Sequence, residues 1–222
     1  MKFIVAIPAR SGSKSIKDKN IMVYKKKPLI YHTIKLALKS KYVERVIVST
    51  DSEKYQNLSK EFGAEAPFLR PKKYSSDKSN DSEWIYHLIN FLKKEKNTPD
   101  YIIHLRVTTP NRDIKVFNDG IKHFIKNRKH ATSMRSVSEF SQPPEKMFWK
   151  KRNYLRGYFD DKLKDEYHSR ARQDYKQAYL PNGYIDILNV KFLMKKKGIY
   201  GEKILAYLTK RTMDIDTKDD IE

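Results

Sequence analysis

The sequence predicts an α/β fold in which helices cover both faces of a mostly parallel sheet. Two observations carry this prediction. Up to residue 137, short apolar runs alternate with amphipathic segments of helical period, a pattern typical of β-α-β units. At about 138–181 the pattern gives way to proline, aromatic and charged residues, which indicates an excursion from the sheet. The length, 222 residues, suits one domain covering 1–222.

The first β-α-β-α period ends at Gly63. Pro28 suits the first turn of a helix, because proline lacks the N–H that a helix start leaves unpaired. Ser52 is a typical helix N-cap residue, and Gly63 can adopt the left-handed conformation that ends a helix. The predicted elements are strand 3–7, loop 8–20, a helix with Pro28 in its first turn that ends near Lys39-Ser40-Lys41, strand 45–50 and helix 53–62.

Further strands and helices follow at similar spacing. They are helix 82–94, strand 101–105, helix 113–127, strand 131–137, strand 182–188 and a short terminal helix after the acidic residues 214 and 216. In an open parallel sheet, ligands bind beyond the carboxyl ends of the strands. We therefore expect the function to reside in loop 8–20 and in the turn Thr108-Thr109-Pro110, which both follow strands.

The composition excludes several classes of site. The chain has no cysteine, which excludes disulfides, thiolate zinc sites and cysteine nucleophiles, so a bound metal would be a hard cation held by oxygen or imidazole. No run of about 18 apolar residues occurs. We therefore expect a cytoplasmic protein without a membrane partner.

The charge of the chain favours a polyanionic ligand. Lys and Arg outnumber Asp and Glu by 47 to 27, giving a net charge of +20. Such a charge attracts nucleic acids and nucleoside triphosphates alike. The lysines are spread along the chain without an Arg-rich tract, which favours a solvated lysine surface over a nucleic-acid groove.

The loop after the first strand has the composition of a phosphate cradle. Small residues let backbone N–H groups approach phosphate oxygens, and cations neutralise them. The loop lacks both the Walker spacing and the three spaced glycines of a dinucleotide fingerprint, so composition alone leaves a phosphate cradle and a polar surface loop equally open. The residues concerned are Ala9, Arg10, Ser11, Gly12, Ser13, Lys14, Lys19 and Asn20.

Near the other end of the chain, Asp214 and Asp216 flank one apolar residue. On an extended backbone both carboxylates point to the same side, where they can share one hard cation such as Mg²⁺. A solvated acidic turn or a helix cap is the commoner use of two such aspartates.

Histidines and the aromatic residues of the excursion predict no chemistry of their own. None of the six histidines has a paired metal spacing, and His104, within a strand pattern, is predicted to be packed or hydrogen-bonded rather than catalytic. The aromatic residues predict an arm packed against a partner chain rather than a surface that stacks RNA bases.

A series of short motifs runs from the first strand nearly to the C-terminus. They are Ile7-Pro8-Ala9-Arg10-Ser11-Gly12-Ser13-Lys14 with Lys19-Asn20, Val48-Ser49-Thr50-Asp51, Leu69-Arg70-Pro71, Leu105 with Thr108-Thr109-Pro110 and Arg112, Arg172-Gln173, Pro181-Asn182-Gly183 and Asp214-Ile215-Asp216-Thr217. Together they resemble the signature of the acylneuraminate cytidylyltransferases, the CMP-sialic acid synthetase family. The resemblance implies a Rossmann-like domain of the nucleotide-diphospho-sugar transferase type. It also implies a homodimer in which the excursion is a dimerisation arm that reaches toward the partner's active site.

The resemblance further implies roles for individual residues. CTP would be bound by the loop residues Ala9, Arg10, Ser11, Gly12, Ser13, Lys14, Lys19 and Asn20 together with Arg70 and Ser82. An acidic sugar would be bound by Arg106, Thr108, Lys146, Arg172 and Asp186, with Lys146 and Arg172 on its carboxylate. Mg²⁺ would be held by Asp214 and Asp216.

Two positions depart from the family pattern and bear on the substrate. Arg106 stands where the family commonly has a glutamine that contacts the sugar, and Asp186 stands where it often has a tyrosine that does so. A sialic-acid-like nonulosonic acid is expected, and legionaminic or pseudaminic acid suits these residues at least as well as N-acetylneuraminic acid. The alternatives are another keto-sugar acid of the Kdo or 8-amino-Kdo type, a different nucleotide, or a basic RNA-binding protein on an enzyme-like scaffold.

The implied reaction is an in-line transfer of CMP. The anomeric hydroxyl would attack the α-phosphorus of CTP while pyrophosphate leaves, with Arg10 and Lys19 stabilising the phosphate charge and Mg²⁺ bridging phosphate oxygens. This chemistry requires one arrangement. The basic loop 8–20 and the acidic pair Asp214 and Asp216 must face each other across a single cleft.

Overall fold

A computed structural model describes residues 1–13, 16–159, 164–195, 198–217 and 220, without the side chains of 164 and 165. In this part of the chain the strands are β1 (Phe3–Pro8), β2 (Val23–Tyr24), β3 (Lys27–Pro28), β4 (Val43–Ser49), β5 (Tyr101–His104), β6 (Ser133–Phe140), β7 (Phe148–Lys151), β8 (Tyr154–Gly157), β9 (Ala178–Asn189) and β10 (Ile204–Leu208). The helices are α1 (Leu29–Leu38), α2 (Glu53–Glu61), α3 (Asp81–Lys94), α4 (Ile114–Asn127) and α5 (Val190–Leu193).

Six strands form the central sheet in the order β10-β6-β9-β5-β1-β4. Strand β1 is parallel to both β4 and β5, and β6 is parallel to β10, whereas β9 is antiparallel to its neighbours β5 and β6. The predicted mostly parallel sheet is thus confirmed, with one strand reversed. The reversal follows from the excursion. The chain leaves the sheet at the carboxyl end of β6 and re-enters it as β9 at the same end, where Phe140 pairs with Ala178.

Helices cover both faces of this sheet. Helices α1, α2 and α4 contribute to one apolar core, and α3 and α5 contribute to the other. Side chains of β1 alternate between the two cores, with Val5 and Ile7 in the first and Ile4 and Ala6 in the second. A strand buried on both faces gives a continuous apolar run, which is why β1 can be identified in the sequence.

The boundaries of helices α1 to α4 agree with the predictions to within about three residues, and side-chain caps fix the starts of α2 and α3. Ser52 caps α2 as predicted. Helix α3 begins at Asp81 rather than at Ser82, because Asn80 accepts a hydrogen bond from the Ser82 backbone N–H at 3.1 Å. Glu83 in turn accepts one from the Asn80 N–H at 3.2 Å. This capping box satisfies N–H groups that have no partner inside the helix.

Strands β6 and β9 extend into the predicted excursion, so the segment between them spans 141–177. It carries the β7–β8 hairpin and short 3-10 turns, and none of its described residues belongs to either apolar core. Three of its aromatic side chains are largely exposed: Tyr154 is 71% exposed, and Tyr158 and Phe159 are each 65% exposed. The segment therefore presents an apolar surface away from the cores.

The strand β10 was not predicted. It lies at the sheet edge beside β6, and its sequence Ile-Leu-Ala-Tyr-Leu has no alternation of polar and apolar residues. The predicted terminal helix falls almost entirely at 218–219 and 221–222, outside the described residues. Over the described ranges, no helix combines the length and apolar character needed to cross a membrane.

Candidate active site

A cavity of about 530 Å³ opens beyond the carboxyl ends of β1 and β5. Three segments line it: the loop after β1, the segment 70–84 that leads into α3, and residues 104–108 at the end of β5. The position is the one at which open α/β sheets bind ligands. The volume lies within the range of small-molecule sites, about 300–1,000 Å³.

Hydrogen bonds hold the loop after β1 in a defined shape. Ser11 donates its backbone N–H and its hydroxyl to the Asp51 carboxylate, at 2.8 and 3.2 Å. Asn20 donates its side-chain amide to the Arg10 carbonyl at 2.8 Å. Gly12 borders open space, since a Cβ there would meet no described protein atom within 4 Å. Ser11 and Asn20, predicted to contact the nucleotide, thus also shape the loop that would receive it.

The loop directs two cations toward the cavity. The Arg10 Nη1 atom lies 2.8 Å from Asp77 Oδ1, and both residues line the cavity. The Lys19 side chain is only 12% exposed and also lines it. Of the other predicted loop residues, Ser13 lines the cavity, Ala9 is fully buried and Lys14 lies outside the described residues.

Arg70 is the most deeply buried cation of the cavity wall. It is 5% exposed, and within the described chain its Nε and Nη2 atoms have no hydrogen-bond partner. Burial lowers the pKa of Arg70, with Asp51 opposing that shift and Arg10 adding to it. A buried guanidinium with unpaired N–H groups is costly unless a ligand supplies acceptor oxygens. Arg70 therefore carries unused hydrogen-bonding capacity at the cavity wall.

The acidic tail is anchored through its central residue. Ile215 is fully buried, and its N–H donates to the Thr108 carbonyl at 2.8 Å. Asp214 and Asp216 on either side of it are exposed. The Lys19 Nζ atom lies 2.8 Å from Asp216 Oδ1. The structure thus brings Lys19 of the basic loop to Asp216, although neither Asp214 nor Asp216 is among the residues that line the cavity.

The residues present fit a hard cation. Asp214 and Asp216 offer exposed carboxylate oxygens, and Mg²⁺ in proteins is commonly bound by one or two carboxylates together with phosphate oxygens and water. Within the described ranges, no group of three or more His, Cys, Asp or Glu could hold a metal ion. A cation at this pair would therefore take most of its ligands from a bound phosphate and from water.

Arg112 holds together the backbone segments behind the cavity. Its guanidinium donates to the carbonyl oxygens of Tyr184, Arg106 and Gly183, at 2.7, 2.8 and 2.9 Å, and to that of Thr109. Burial lowers the pKa of Arg112 to about 9. Gly183 has a φ of +68°, and a Cβ at this position would lie 3.3 Å from Arg106 Cδ. The two motif residues Arg112 and Gly183 therefore fix the backbone and side chain of Arg106.

Arg106 and Thr108, both predicted to contact the sugar, line the same cavity as the nucleotide residues. The Arg106 Nη2 atom lies 3.9 Å from Asp81. Burial raises the pKa of Asp81, but the nearby His104 and a hydrogen bond from Trp84 together bring it below its ordinary value. Ser82, which was predicted to bind the base, donates its hydroxyl to Asn80 within the helix cap. Asp81, and not Ser82, lines the cavity.

Asp186, the other predicted sugar contact, lies behind the cavity wall. It is 2% exposed and stands opposite His104, which does line the cavity. The Tyr200 hydroxyl donates to Asp186 Oδ2 at 2.9 Å, and Arg135 Nε lies 3.5 Å from the same oxygen. Burial and the nearby Asp186 raise the pKa of Tyr200.

The remaining two predicted sugar residues lie on the excursion. Arg172 lines a second cavity, of about 360 Å³, together with Tyr175. The Lys146 Nζ atom lies 5.4 Å from the centroid of the Tyr175 ring. As far as the chain is described, no residue lines both cavities. One chain therefore does not bring Lys146 and Arg172 to the cavity that holds Arg70.

Sequence reasoning assigned no role to several residues of the site. Asp51 was noted only as part of a motif, and Asp77 and Asp81 lie in a polar segment between two predicted elements. His104 stands at the carboxyl end of a strand, where ligands bind in this class of sheet. Histidines within strand patterns are nevertheless more often packed or hydrogen-bonded than catalytic. Whether each of these residues lies at the cavity depends on contacts between elements, which the sequence does not show.

The chain is similar to nucleotidyltransferases over nearly its whole length. The family model described as cytidylyltransferase matches residues 4–218. The pseudaminic acid cytidylyltransferase of Campylobacter jejuni is 30% identical over 224 aligned residues, covering 100% of this chain and 94% of that protein. The N-acylneuraminate cytidylyltransferase of Escherichia coli is 32% identical and is covered over 51% of its length. The solved CMP:2-keto-3-deoxy-manno-octonic acid synthetase complexed with CTP shares the fold, with a TM-score of 0.70 at 16% identity over 99% of this chain and 95% of that one.

Proposed function

Because the chain belongs to the cytidylyltransferase family, we propose that it transfers CMP from CTP to the anomeric hydroxyl of a sialic-acid-like nonulosonic acid. The names of its relatives support both the nucleotide and the class of sugar acid, since they act on pseudaminic and N-acylneuraminic acids. Pyrophosphate is the second product. We place the reaction in the cytoplasm, where nucleoside triphosphates are supplied.

The observation that carries this proposal is the set of cations around one cavity. Arg70 is buried with unpaired N–H groups, and Arg10 and Lys19 line the same space. Charge-assisted hydrogen bonds to phosphate oxygens would satisfy all three and strengthen where water is excluded. A triphosphate would compete with Asp77 for Arg10 and with Asp216 for Lys19.

These residues would promote the displacement mainly by positioning and by neutralising charge. A bond forms between the anomeric oxygen and the α-phosphorus, the bond from that phosphorus to the pyrophosphate oxygen breaks, and the hydroxyl proton passes to solvent. Arg10 and Lys19 oppose the charge that develops on the phosphates. Asp214 and Asp216 would hold Mg²⁺, which when bound neutralises phosphate charge and acidifies a coordinated hydroxyl.

We propose that the active form is a homodimer in which each excursion completes the partner's site. Lys146 and Arg172 suit a sugar carboxylate, but neither lines the cavity of Arg70, and Arg172 lines a second cavity. The excursion also exposes Tyr154, Tyr158 and Phe159. Exposed apolar clusters of this kind mark interfaces, and a partner seated on them could bring one chain's Arg172 to the other chain's cavity.

Pyrophosphate release tests this function. Purified protein is assayed with each of the four nucleoside triphosphates and a panel of keto-sugar acids that includes nonulosonic acids and Kdo. We expect turnover with CTP and a nonulosonic acid in the presence of Mg²⁺, and loss of that turnover when EDTA removes the metal. Arg70→Met should weaken CTP binding by about 10-fold or more, the cost of one lost charged hydrogen bond.

A matched control separates binding from folding. Arg45→Met removes another shielded arginine, whose partners Glu65 and Glu95 lie away from the cavity, and it should leave CTP affinity unchanged. Turnover only with Kdo would show that the substrate is Kdo rather than a nonulosonic acid. No turnover with any triphosphate, combined with salt-dependent RNA binding, would favour a nucleic-acid-binding protein instead.

A further inference from the structure

Three polar side chains form a row across the sheet face that α3 covers. His104 on β5 pairs in register with Asp186 on β9, and Asp186 pairs with Arg135 on β6. Directly opposed residues of neighbouring strands project to the same face. Ile102, two residues before His104, belongs to the apolar core on that face. At the end of the core nearest the cavity, these three polar side chains therefore occupy positions that apolar side chains fill elsewhere on this face.

His104 is the member of this row that reaches the cavity. It is 2% exposed and lines the cavity wall, and among the described residues neither of its ring nitrogens has a hydrogen-bond partner. Burial lowers its pKa against the opposing effect of Asp81 and Asp186. A neutral imidazole offers one donor and one acceptor, and its tautomer can adapt to the partner. Leaving both unpaired in a buried position is costly, so a partner outside the chain is indicated.

Each carboxylate near His104 already has a cationic partner. Asp81 lies 3.9 Å from Arg106, and Asp186 lies 3.5 Å from Arg135. Arg112 adds a further positive charge that acts on His104. A cationic group of a ligand would therefore find no unpaired carboxylate among these residues, whereas a neutral polar group could pair with His104.

We propose that His104 is a specificity-determining residue that hydrogen-bonds a neutral polar substituent of the sugar acid, such as an acylamino or hydroxyl group. The inference rests on the proposed function and deepens it. His104 and Arg106 then form the part of the cavity that receives the sugar, apart from the triphosphate cations Arg10 and Lys19. A free ammonium at the same sugar position is disfavoured, because both nearby carboxylates are already paired with guanidinium groups.

The test compares sugar acids that differ in one substituent, carrying an acylamino, a hydroxyl or a free amino group at the same carbon. KM and kcat for each sugar acid and for CTP are measured with the wild type, His104→Phe and His104→Gln. We expect the wild type to favour the two neutral substituents. His104→Phe should raise KM for those sugars about 10-fold, the cost of one hydrogen bond in a buried site. It should leave KM for CTP within twofold and reduce the discrimination against the free amine.

Two variants distinguish the loss of a hydrogen bond from a general structural effect. His104→Gln keeps a donor and an acceptor and should recover most of the lost affinity for the sugar. His123→Phe makes the same substitution at a half-buried histidine on α4, beside Tyr207 and away from the cavity, and should change none of these values. Calorimetric titration of CTP verifies the fold of each variant without relying on turnover.

The outcomes separate this inference from the proposed function. If the wild type turns over no sugar acid, the proposed function fails and the inference fails with it. If the wild type is active but accepts the free-amine sugar as well as its acylated counterpart, only the inference is overturned, whatever the variants do. A rise in KM for CTP instead of for the sugar in His104→Phe would assign His104 to the nucleotide and overturn it too.

Discussion

At the scale of single residues, the electrostatic properties of this site depend on how far each charged side chain is shielded from water. Lys19 is the clearest case, because its side chain is 12% exposed while its partner Asp216 is 68% exposed. A shielded cation keeps a strong field toward a ligand, and an exposed carboxylate remains accessible to a metal ion. In the proposed function, this pair would exchange partners when a nucleotide and a cation bind.

At this scale we predict that Asp216→Asn leaves the protein folded but abolishes turnover. The amide keeps the size of the side chain and loses the charge that a hard cation needs. We expect kcat to fall at least about 100-fold, the loss of several kcal/mol of charge stabilisation. The measurement is steady-state turnover over a Mg²⁺ titration, with circular dichroism to verify the fold.

Asp119→Asn is the matched control for that change. Asp119 is a carboxylate paired with Lys122 at 2.9 Å on α4, away from the cavity. It should retain full activity at every Mg²⁺ concentration. Near-normal turnover in Asp216→Asn would refute the metal assignment.

At the scale of elements, a single anchoring residue positions each of two short segments at the cavity. The acidic tail depends on Ile215, which is fully buried and bonded to Thr108 through its N–H. The segment after β5 depends on Arg112, which donates to four backbone carbonyls. Elements anchored at so few points bring charged residues to the cavity without requiring a regular helix or strand there.

We therefore predict that Ile215→Ala impairs activity more than it impairs stability. Truncating a buried isoleucine costs about 2–5 kcal/mol, whereas Ile→Val costs about 0.5–1.5 kcal/mol. Because the residue lies near the chain end, that cost should detach the tail locally rather than unfold the core. The Mg²⁺ concentration needed for half-maximal activity should rise in Ile215→Ala and change little in Ile215→Val. A large loss of thermal stability with an unchanged Mg²⁺ requirement would contradict this account of the tail.

At the scale of the whole molecule, the residues predicted to bind the two substrates are divided between the sheet domain and the excursion. Arg10, Lys19 and Arg70, predicted to bind the nucleotide, line one cavity, and Arg172, predicted to bind the sugar, lines another. Exposed aromatic residues lie on the same excursion. A second copy of the chain would account for both features, since it would cover the exposed rings and supply Arg172 across the interface.

Mixing two inactive variants tests this arrangement. If the sites are shared, subunits of Asp216→Asn and of Arg172→Ala should regain activity after exchange. Half of the randomly reassociated dimers are mixed, and each mixed dimer has one intact site of two, so about one quarter of wild-type activity is expected. Recovery of no activity, with mixed dimers verified by mass spectrometry, would place both sets of residues in one chain.

The sequence by itself determined where most helices and central strands lie along the chain, and it determined the chemistry of the first loop. Both are local properties, because strand β1 is a continuous apolar run and the cations of the loop are neighbours in the chain. The motifs also placed the chain in its family, which the family model confirms over 4–218. The unpredicted strand β10 shows the limit of this reasoning, since a short edge strand without alternation carries little local signal.

Only the tertiary structure decided which distant side chains meet. Lys19 and Asp216 are 197 positions apart in sequence and 2.8 Å apart in space. His104 lies opposite Asp186 because β9 runs antiparallel between β5 and β6. Strand order and direction are set by how both apolar cores close around the sheet. That packing involves the whole chain at once, and no local pattern of residues encodes it.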